Sequence, residues 1–265
     1  MKPKALVLQA HGSNRDFDVI DALTLAGATP TGIPLNELRA NKALLADFQL
    51  LVLPGGFSYA DALGAGKLLA LDLASYFADE ISAFVESGKP VIGICNGFQA
   101  LVKSGILPGE SSSPSGKRIR GEGATLTFNA QGHFECRWVT LKPVSQKCIW
   151  TQNLDQLIEC PIAHGEGNFQ TSELFPLSSF IENDQLALIY TYPNGSPAND
   201  EYPFNPNGSI HDIAGICNPQ GNVLGLMPHP ENHIHPHQHP QWTRGNNHHS
   251  GLALFKNSVK YASQF

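Results

Sequence analysis

Val91-Ile92-Gly93-Ile94-Cys95-Asn96-Gly97 is a short apolar run that ends on a cysteine, with a glycine two residues to either side of it. Four consecutive apolar residues read as a strand buried on both faces, as in parallel sheets. The residues that follow, from about 97 to 103, suit a helix. Strand, sharp turn and helix in that order form the cysteine version of the G-x-S-x-G elbow, which lifts a nucleophile out of a sheet. The glycines let the backbone bend tightly and clear space around the thiol. A thiol at a helix N-terminus also sits in a positive field that stabilises the thiolate. The bland alternative is a buried cysteine in a glycine-rich turn. The order of the elements favours the nucleophile.

Working outward, the first 105 residues alternate the same two patterns. Strands are expected at 4–8, 28–33, 49–53 and 90–94, and helices at 17–26, 36–47, 62–87 (one or two) and 97–103. Such alternation implies a flavodoxin-like α/β fold: a mostly parallel sheet flanked by helices, with reactive groups at the carboxyl ends of the strands. The pattern changes after Pro108. Residues 109–123, with Lys117, Arg118 and Arg120, read as a solvated loop. Residues 124–142, 186–192 and 210–227 alternate like antiparallel strands, and a last helix is expected from Leu252 to Ala262. No linker divides the chain, so residues 1–265 are expected to form a single domain.

The bulk numbers exclude several functions. The chain carries a net charge of −6, which argues against a nucleic-acid partner. The apolar run Ala5 to Leu8 is too short for a signal-peptide core, and no stretch approaches the ~18 apolar residues of a membrane span. A cytoplasmic location without membrane association is expected. The cysteines (Cys95, Cys136, Cys148, Cys160 and Cys217) are odd in number and lack C-x-x-C spacing, so neither a disulfide framework nor a cysteine zinc site is expected.

A cysteine nucleophile needs a base, and the base needs an orienter. Met227-Pro228-His229-Pro230-Glu231 supplies both. The prolines are expected to keep the segment extended, which puts His229 and Glu231 on one side of the chain. Pro54-Gly55-Gly56-Phe57 follows an apolar strand and would also lie at the carboxyl edge. Its amides, with that of Asn96, are candidates for an oxyanion hole.

Together GICNGFQ, PGGFSYADALGAGK and MPHPE resemble the class I, or triad-type, glutamine amidotransferases. PIAHGEGNF (161–169), NPNGS (205–209), IAGICNPQGNVLGLMPHPE and the tail with Trp242 and Phe255-Lys256-Asn257 narrow the resemblance to the glutaminase components of phosphoribosylformylglycinamidine synthases, enzymes of purine biosynthesis. The matches run from the first strand to the last helix. This resemblance implies that Cys95 forms a γ-glutamyl thioester with glutamine, that His229 moves the protons and that Glu231 orients it. It also implies that Gln99, Asn96 and the loop Gly55, Gly56 and Phe57 help hold the substrate. Ammonia would then pass to a formylglycinamidine synthetase large subunit, with a small bridging subunit as a further partner. ATP and Mg²⁺ would sit on the synthetase and no cofactor or metal on this chain. In keeping with that, a G-x-x-x-x-G-K-[ST] loop is not formed around Gly66-Lys67, because Asp61 and Leu68 replace the required Gly and Ser/Thr.

Two departures from the family stand out. Arg15 interrupts a GSNCD-like loop, and Asn232 follows HPE where Arg is usual. The segment after it holds His233, His235, His237, His239, His248 and His249, and reads as an exposed surface loop near the site or a partner rather than a metal site. His164 is left open between a structural turn residue and a substrate contact. Competing readings are the glutaminase of another amidotransferase pathway, a free-standing cysteine amidase of the same fold, and a catalytically silent binding protein.

Overall fold

Parallel strands buried on both faces need continuous apolar runs, and two such runs lie side by side in the sheet. Leu50–Leu53 is β3 and Val91–Ile94 is β4, and they pair in parallel. The computed structural model describes residues 2–109, 111–112, 118–119, 123–173, 175–245 and 249–265. Its other strands are β1 (Lys4–Gln9), β2 (Thr29–Pro34), β5 (Ser111–Ser112), β6 (Arg118–Ile119), β7 (Ala124–Thr127), β8 (Glu135–Pro143), β9 (Ile158–His164), β10 (Asn168–Thr171), β11 (Leu186–Thr191), β12 (Ile213–Cys217) and β13 (Val223–Leu226). The helices are α1 (Asp16–Ala26), α2 (Leu35–Ala40), α3 (Lys67–Tyr76), α4 (Ala78–Glu86), α5 (Asn96–Lys103), α6 (Leu177–Glu182) and α7 (Leu252–Ala262).

One nine-stranded sheet has the order β2-β1-β3-β4-β13-β12-β11-β8-β9. From β2 to β13 the neighbours are parallel, and from β13 to β9 they are antiparallel. The expected parallel half and antiparallel extension are both present, joined through β13. That strand pairs antiparallel with β12 and parallel with β4, so its carboxyl end lies beside that of β4.

Most early elements fall where the periodicity places them, with two differences. The expected helix 36–47 is α2 followed by a 3₁₀ turn, Lys42–Asp47. Of the one or two helices expected over 62–87 there are two, α3 and α4, meeting at the buried Phe77, and the first begins only at Lys67. Most of the 109–123 loop, including Lys117 and Arg120, lies outside the described residues, while Ser111–Ser112 pairs with Arg118–Ile119. Among the described residues no helix is long and apolar enough to cross a membrane.

The histidine-rich segment is not simply exposed. His233 is fully buried and His239 nearly so. Both pack edge-on against Trp138 of β8, and His239 Nε2 pairs with Glu159 at 3.1 Å. His233 Nδ1 donates to Glu159 O at 2.5 Å. Burial outweighs the hydrogen bond to Glu159 and lowers the His233 pKa, which favours the neutral ring. These histidines therefore act as packing groups that tie the segment to β8 and β9. Among the described residues no three His, Cys, Asp or Glu side chains converge as a metal-binding group.

Candidate active site

The site forms where three neighbouring parallel strands end. β4 delivers Cys95, β3 delivers Pro54 to Phe57, and β13 leads through Met227 and Pro228 to His229. Cys95 has φ 51° and ψ −106°, a left-handed conformation that non-glycine residues rarely adopt and that costs about 1–3 kcal/mol. Its surroundings enforce the turn. Cys95 N–H donates to Leu226 O at 2.8 Å and Cys95 O accepts from Gln99 N at 3.0 Å. A methyl on Gly97 would lie 2.0 Å from Leu53 O, and one on Gly93 would lie 2.7 Å from Gly97 O. Both glycines are required so that α5 can start close against β3.

His229 and Glu231 are buried, and His229 Nδ1 meets Glu231 Oε1 at 2.7 Å. The backbone route differs from the expected one. Pro230–Asn232 is a 3₁₀ turn, not an extended chain, and the pair meets across that turn. With Nδ1 engaged by Glu231, Nε2 is the nitrogen left for the Cys95 thiol. Burial pushes the imidazole pKa down, but the charges of Glu231 and Cys95 outweigh it and lift the pKa to about 10. Beside the buried Glu231 the imidazolium is therefore the favoured form of the ring, which suits it to hold the thiol proton. Gly55 leaves room for this pairing: a methyl there would sit 2.7 Å from His229 Cε1 and 3.4 Å from Cys95 Cβ.

The remaining sequence-predicted residues gather around the thiol. Gly56, Phe57, Cys95 and Gln99 line a cleft of about 160 Å³, with Ala163, His164 and Glu166 opposite. That is well below the ~300 Å³ of small drug-sized sites and suits one small amino acid. The Phe57 amide is spent on Gly12 O at 3.0 Å. Ser13 and Gly56 form an antiparallel bridge whose hydrogen bonds run through their neighbours, so the Gly56 amide points away from the 12–14 loop. Asn96 opens α5, and helix geometry leaves its amide without an intrahelical acceptor. Gly56 and Asn96 are thus the two amides suited to a developing oxyanion. The Asn96 side chain is committed elsewhere: it accepts from Ser58 and donates to Asp61 at 2.8 Å and Gln99 at 3.1 Å. Gln99 in turn donates to Glu166 O at 2.6 Å. These two amides brace the cleft wall.

Residues that sequence reasoning did not assign complete the site. β9 closes over the carboxyl edge: Pro161 O accepts from His229 N at 2.8 Å, and Ala163 O lies 3.7 Å from Cys95 Sγ. Asn129 hydrogen-bonds His164 Nδ1 at 3.1 Å and Gly167 N at 3.0 Å through its oxygen. The NPNGS motif is buried beneath this turn, where Asn207 and Ser209 both donate to Gly167 O. A lone Asn carries no sequence signal. NPNGS did, but its role as a support for AHGEG required coordinates. Arg15 pairs with Asp18 on the surface, and its loop still supports Gly55 through Asn14 N.

The sequence pattern of the CobB/CobQ-like glutamine amidotransferase domain matches residues 2–262. The phosphoribosylformylglycinamidine synthase subunit PurQ of Treponema denticola is 58% identical over 243 residues, covering 88% of this chain and 89% of that protein. The protein of the same name from Dehalococcoides mccartyi is 42% identical, with 99% of each chain covered. Among solved structures, PurLQS from Thermotoga maritima aligns over 98% of this chain and 99% of that one, with a TM-score of 0.72 and 32% identity. A glutamine amidotransferase from the same organism, 14% identical with a TM-score of 0.55 and 100% of each chain covered, shares the fold. A strand-to-helix cysteine facing a His–Glu pair, on a chain matched almost end to end, places this protein in the CobB/CobQ-like glutamine amidotransferase family.

Proposed function

We propose that this chain is the glutaminase subunit of a phosphoribosylformylglycinamidine synthase, with Cys95, His229 and Glu231 as its catalytic triad. The observation that carries the chemistry is the strained Cys95 turn set against the buried His229–Glu231 pair. The names of the relatives, matched over nearly their whole length, support the pathway. The reaction follows from the geometry. His229 Nε2 holds the Cys95 proton while Sγ attacks the γ-carbonyl carbon of glutamine. The Gly56 and Asn96 amides stabilise the resulting oxyanion. His229 then returns the proton to the leaving nitrogen, which departs as ammonia and leaves a γ-glutamyl thioester. Water, deprotonated by His229, releases glutamate. Glu231 keeps the imidazole in the required orientation throughout.

Ammonia is delivered to a synthetase partner, a reading supported by the word "subunit" in the relatives' names and by the PurLQS likeness. We assign ATP and Mg²⁺ to that partner and the whole reaction to the cytoplasm. The test is glutamate release from glutamine by the chain alone and with the synthetase partner, using Cys95→Ala as control. Partner-stimulated release that the variant loses supports the reading. Release indifferent to the partner moves it to a free-standing amidase, and none in the assembled complex refutes it.

A further inference from the structure

The two amides suited to the oxyanion sit on separate segments, Gly56 in the loop after β3 and Asn96 at the start of α5. They act together only if both N–H groups reach the same oxygen, and such convergence has to hold within about 0.5 Å. The loop that carries Gly56 does not hold itself. Beyond Phe57 it runs into Tyr59, Ala60 and Asp61, whose φ values of 55°, 55° and 52° all lie in the left-handed region that residues with a Cβ disfavour. A segment of that kind keeps its shape only where its neighbours over-determine it. From the α1 side, Gly12 O and His11 O accept from Phe57 N and Tyr59 N. From the α5 side the grip is the Asn96 side chain. Its Oδ1 accepts from Ser58 N at 3.2 Å and from Ser58 Oγ, and its Nδ2 donates to Asp61 Oδ1 at 2.8 Å. The second Nδ2 hydrogen goes to Gln99 Oε1 at 3.1 Å. Ser58 and Asn96 are each 2% exposed, so water does not compete for these bonds.

Resting on the glutaminase reading, we propose that the Asn96 side chain is a positioning group that sets the distance between the two halves of the oxyanion hole. Its own backbone N–H is one half. Through Ser58, two residues beyond Gly56, its side chain fixes the segment that carries the other. Asn96 directly follows Cys95, so both donors are tied to the nucleophile elbow itself. Asp61 is the second anchor. Gripped before Tyr59 and again at Asp61, the left-handed run cannot relax and swing the Gly56 peptide away from the thiol. Without the clamp both amides remain in the chain but cease to converge. The loss then falls on the step in which the carbonyl oxygen becomes charged, and not on the thiol or on glutamine binding.

The test is Asn96→Ala in the assembled complex, which removes the clamp and keeps the backbone amide. kcat and KM for glutamine are measured beside the rate of Cys95 alkylation by iodoacetamide, in which Sγ displaces iodide and no oxyanion forms. Losing an oxyanion donor outright costs about 10²- to 10³-fold in kcat, so a donor displaced but present should cost about 10- to 100-fold. KM should stay within about threefold of wild type and the alkylation rate within about twofold. Ser58→Ala removes one of the two bonds to Oδ1 and changes little else. Its kcat should fall about 3- to 10-fold with the same pattern, so it carries the test where Asn96→Ala does not fold. Alkylation that slows in step with turnover puts the effect on the thiol. A loss carried by KM makes the side chain a substrate contact, and an unchanged kcat in either soluble variant leaves it a structural brace. Each of these overturns the proposal. A wild-type complex whose Cys95 is alkylated but which releases no glutamate from glutamine overturns the glutaminase reading itself, and this proposal with it.

Discussion

Gly55→Ala tests the geometry of the triad without touching any of its members. Gly55 does not occupy the left-handed region, so its backbone accepts alanine. The added methyl would lie 2.7 Å from His229 Cε1, whereas carbon atoms rest at ~3.5 Å or more. Ring or loop must therefore yield by about 0.8 Å. The ring has little freedom, being buried and held at 2.7 Å by Glu231. The same methyl meets Cys95 Cβ at 3.4 Å, so the strain falls on the contact between thiol and imidazole. A displacement near 1 Å in a catalytic constellation costs about 100-fold in rate, or ~2.7 kcal/mol of barrier. The expected outcome is a folded protein that still assembles with its partner, while kcat for glutamate release falls about 100-fold. Cys95 alkylation should slow in parallel. Wild-type turnover in a folded Gly55→Ala protein would refute the claim that this glycine sets the Cys95–His229 distance.

Gly97→Ala should fail differently, because its methyl would meet Leu53 O at 2.0 Å, and backbone cannot move aside cheaply. A loss of roughly 3 kcal/mol or more in urea unfolding is expected, or no soluble protein. Glu231→Gln keeps the shape of the pair but removes the charge; glutamate release should fall about 10²- to 10⁴-fold, with the fold retained by circular dichroism. The two site histidines should tilt stability in opposite directions. His229, raised to about 10, contributes stability that is complete below pH 6.5 and lost as pH rises through 10. His164, lowered to about 3, contributes stability that is complete above pH 6.5 and lost as pH falls toward 3. Urea titrations should therefore show His229→Asn flattening the alkaline slope and His164→Gln the acid slope, each by up to ~1.4 kcal/mol per pH unit.

The centre of the parallel half was legible because β3 and β4 are buried on both faces and so read as unbroken apolar runs, whereas β2, at the sheet edge, is half exposed. LLVL and VIGI needed no context. The antiparallel half was harder. β9, with sequence IECPIAH, carries a proline and a glutamate, and its alternation was not recognised as a strand. Those departures follow from its position: as the last strand of the sheet order it leaves Pro161 without a donor at no cost to a further ladder. The pairing of His229 with Glu231 was legible from spacing, but the path was not. An extended chain and a 3₁₀ turn headed by Pro230 both bring the two side chains together. The histidine segment reads as exposed because six histidines among prolines carry no apolar period. Its burial depends on Trp138, about 100 residues earlier in the chain.

The doubly paired strand β13 explains why the site is here at all. A parallel strand beside β4 is needed to bring a base to the thiol, since only parallel neighbours end at the same edge. Yet the chain arrives at β13 directly from β12, an antiparallel neighbour, through the short turn Asn218 to Asn222. Asn222 anchors that turn, donating to Val85 O at 2.9 Å and Lys89 O at 3.0 Å just before β4 begins. Register then does the rest. Leu226 stands opposite Ile94, so the residues after each strand, Met227 to His229 and Cys95, leave the sheet at the same height. β9 closes the arrangement from above through the Pro161 and Ala163 carbonyls. The strained φ of Cys95 persists because three independent restraints meet on it: the Leu226 carbonyl, the first turn of α5 and the contact of Gly97 with β3. Relaxing the cysteine means breaking one of them, and each belongs to a different element of the core.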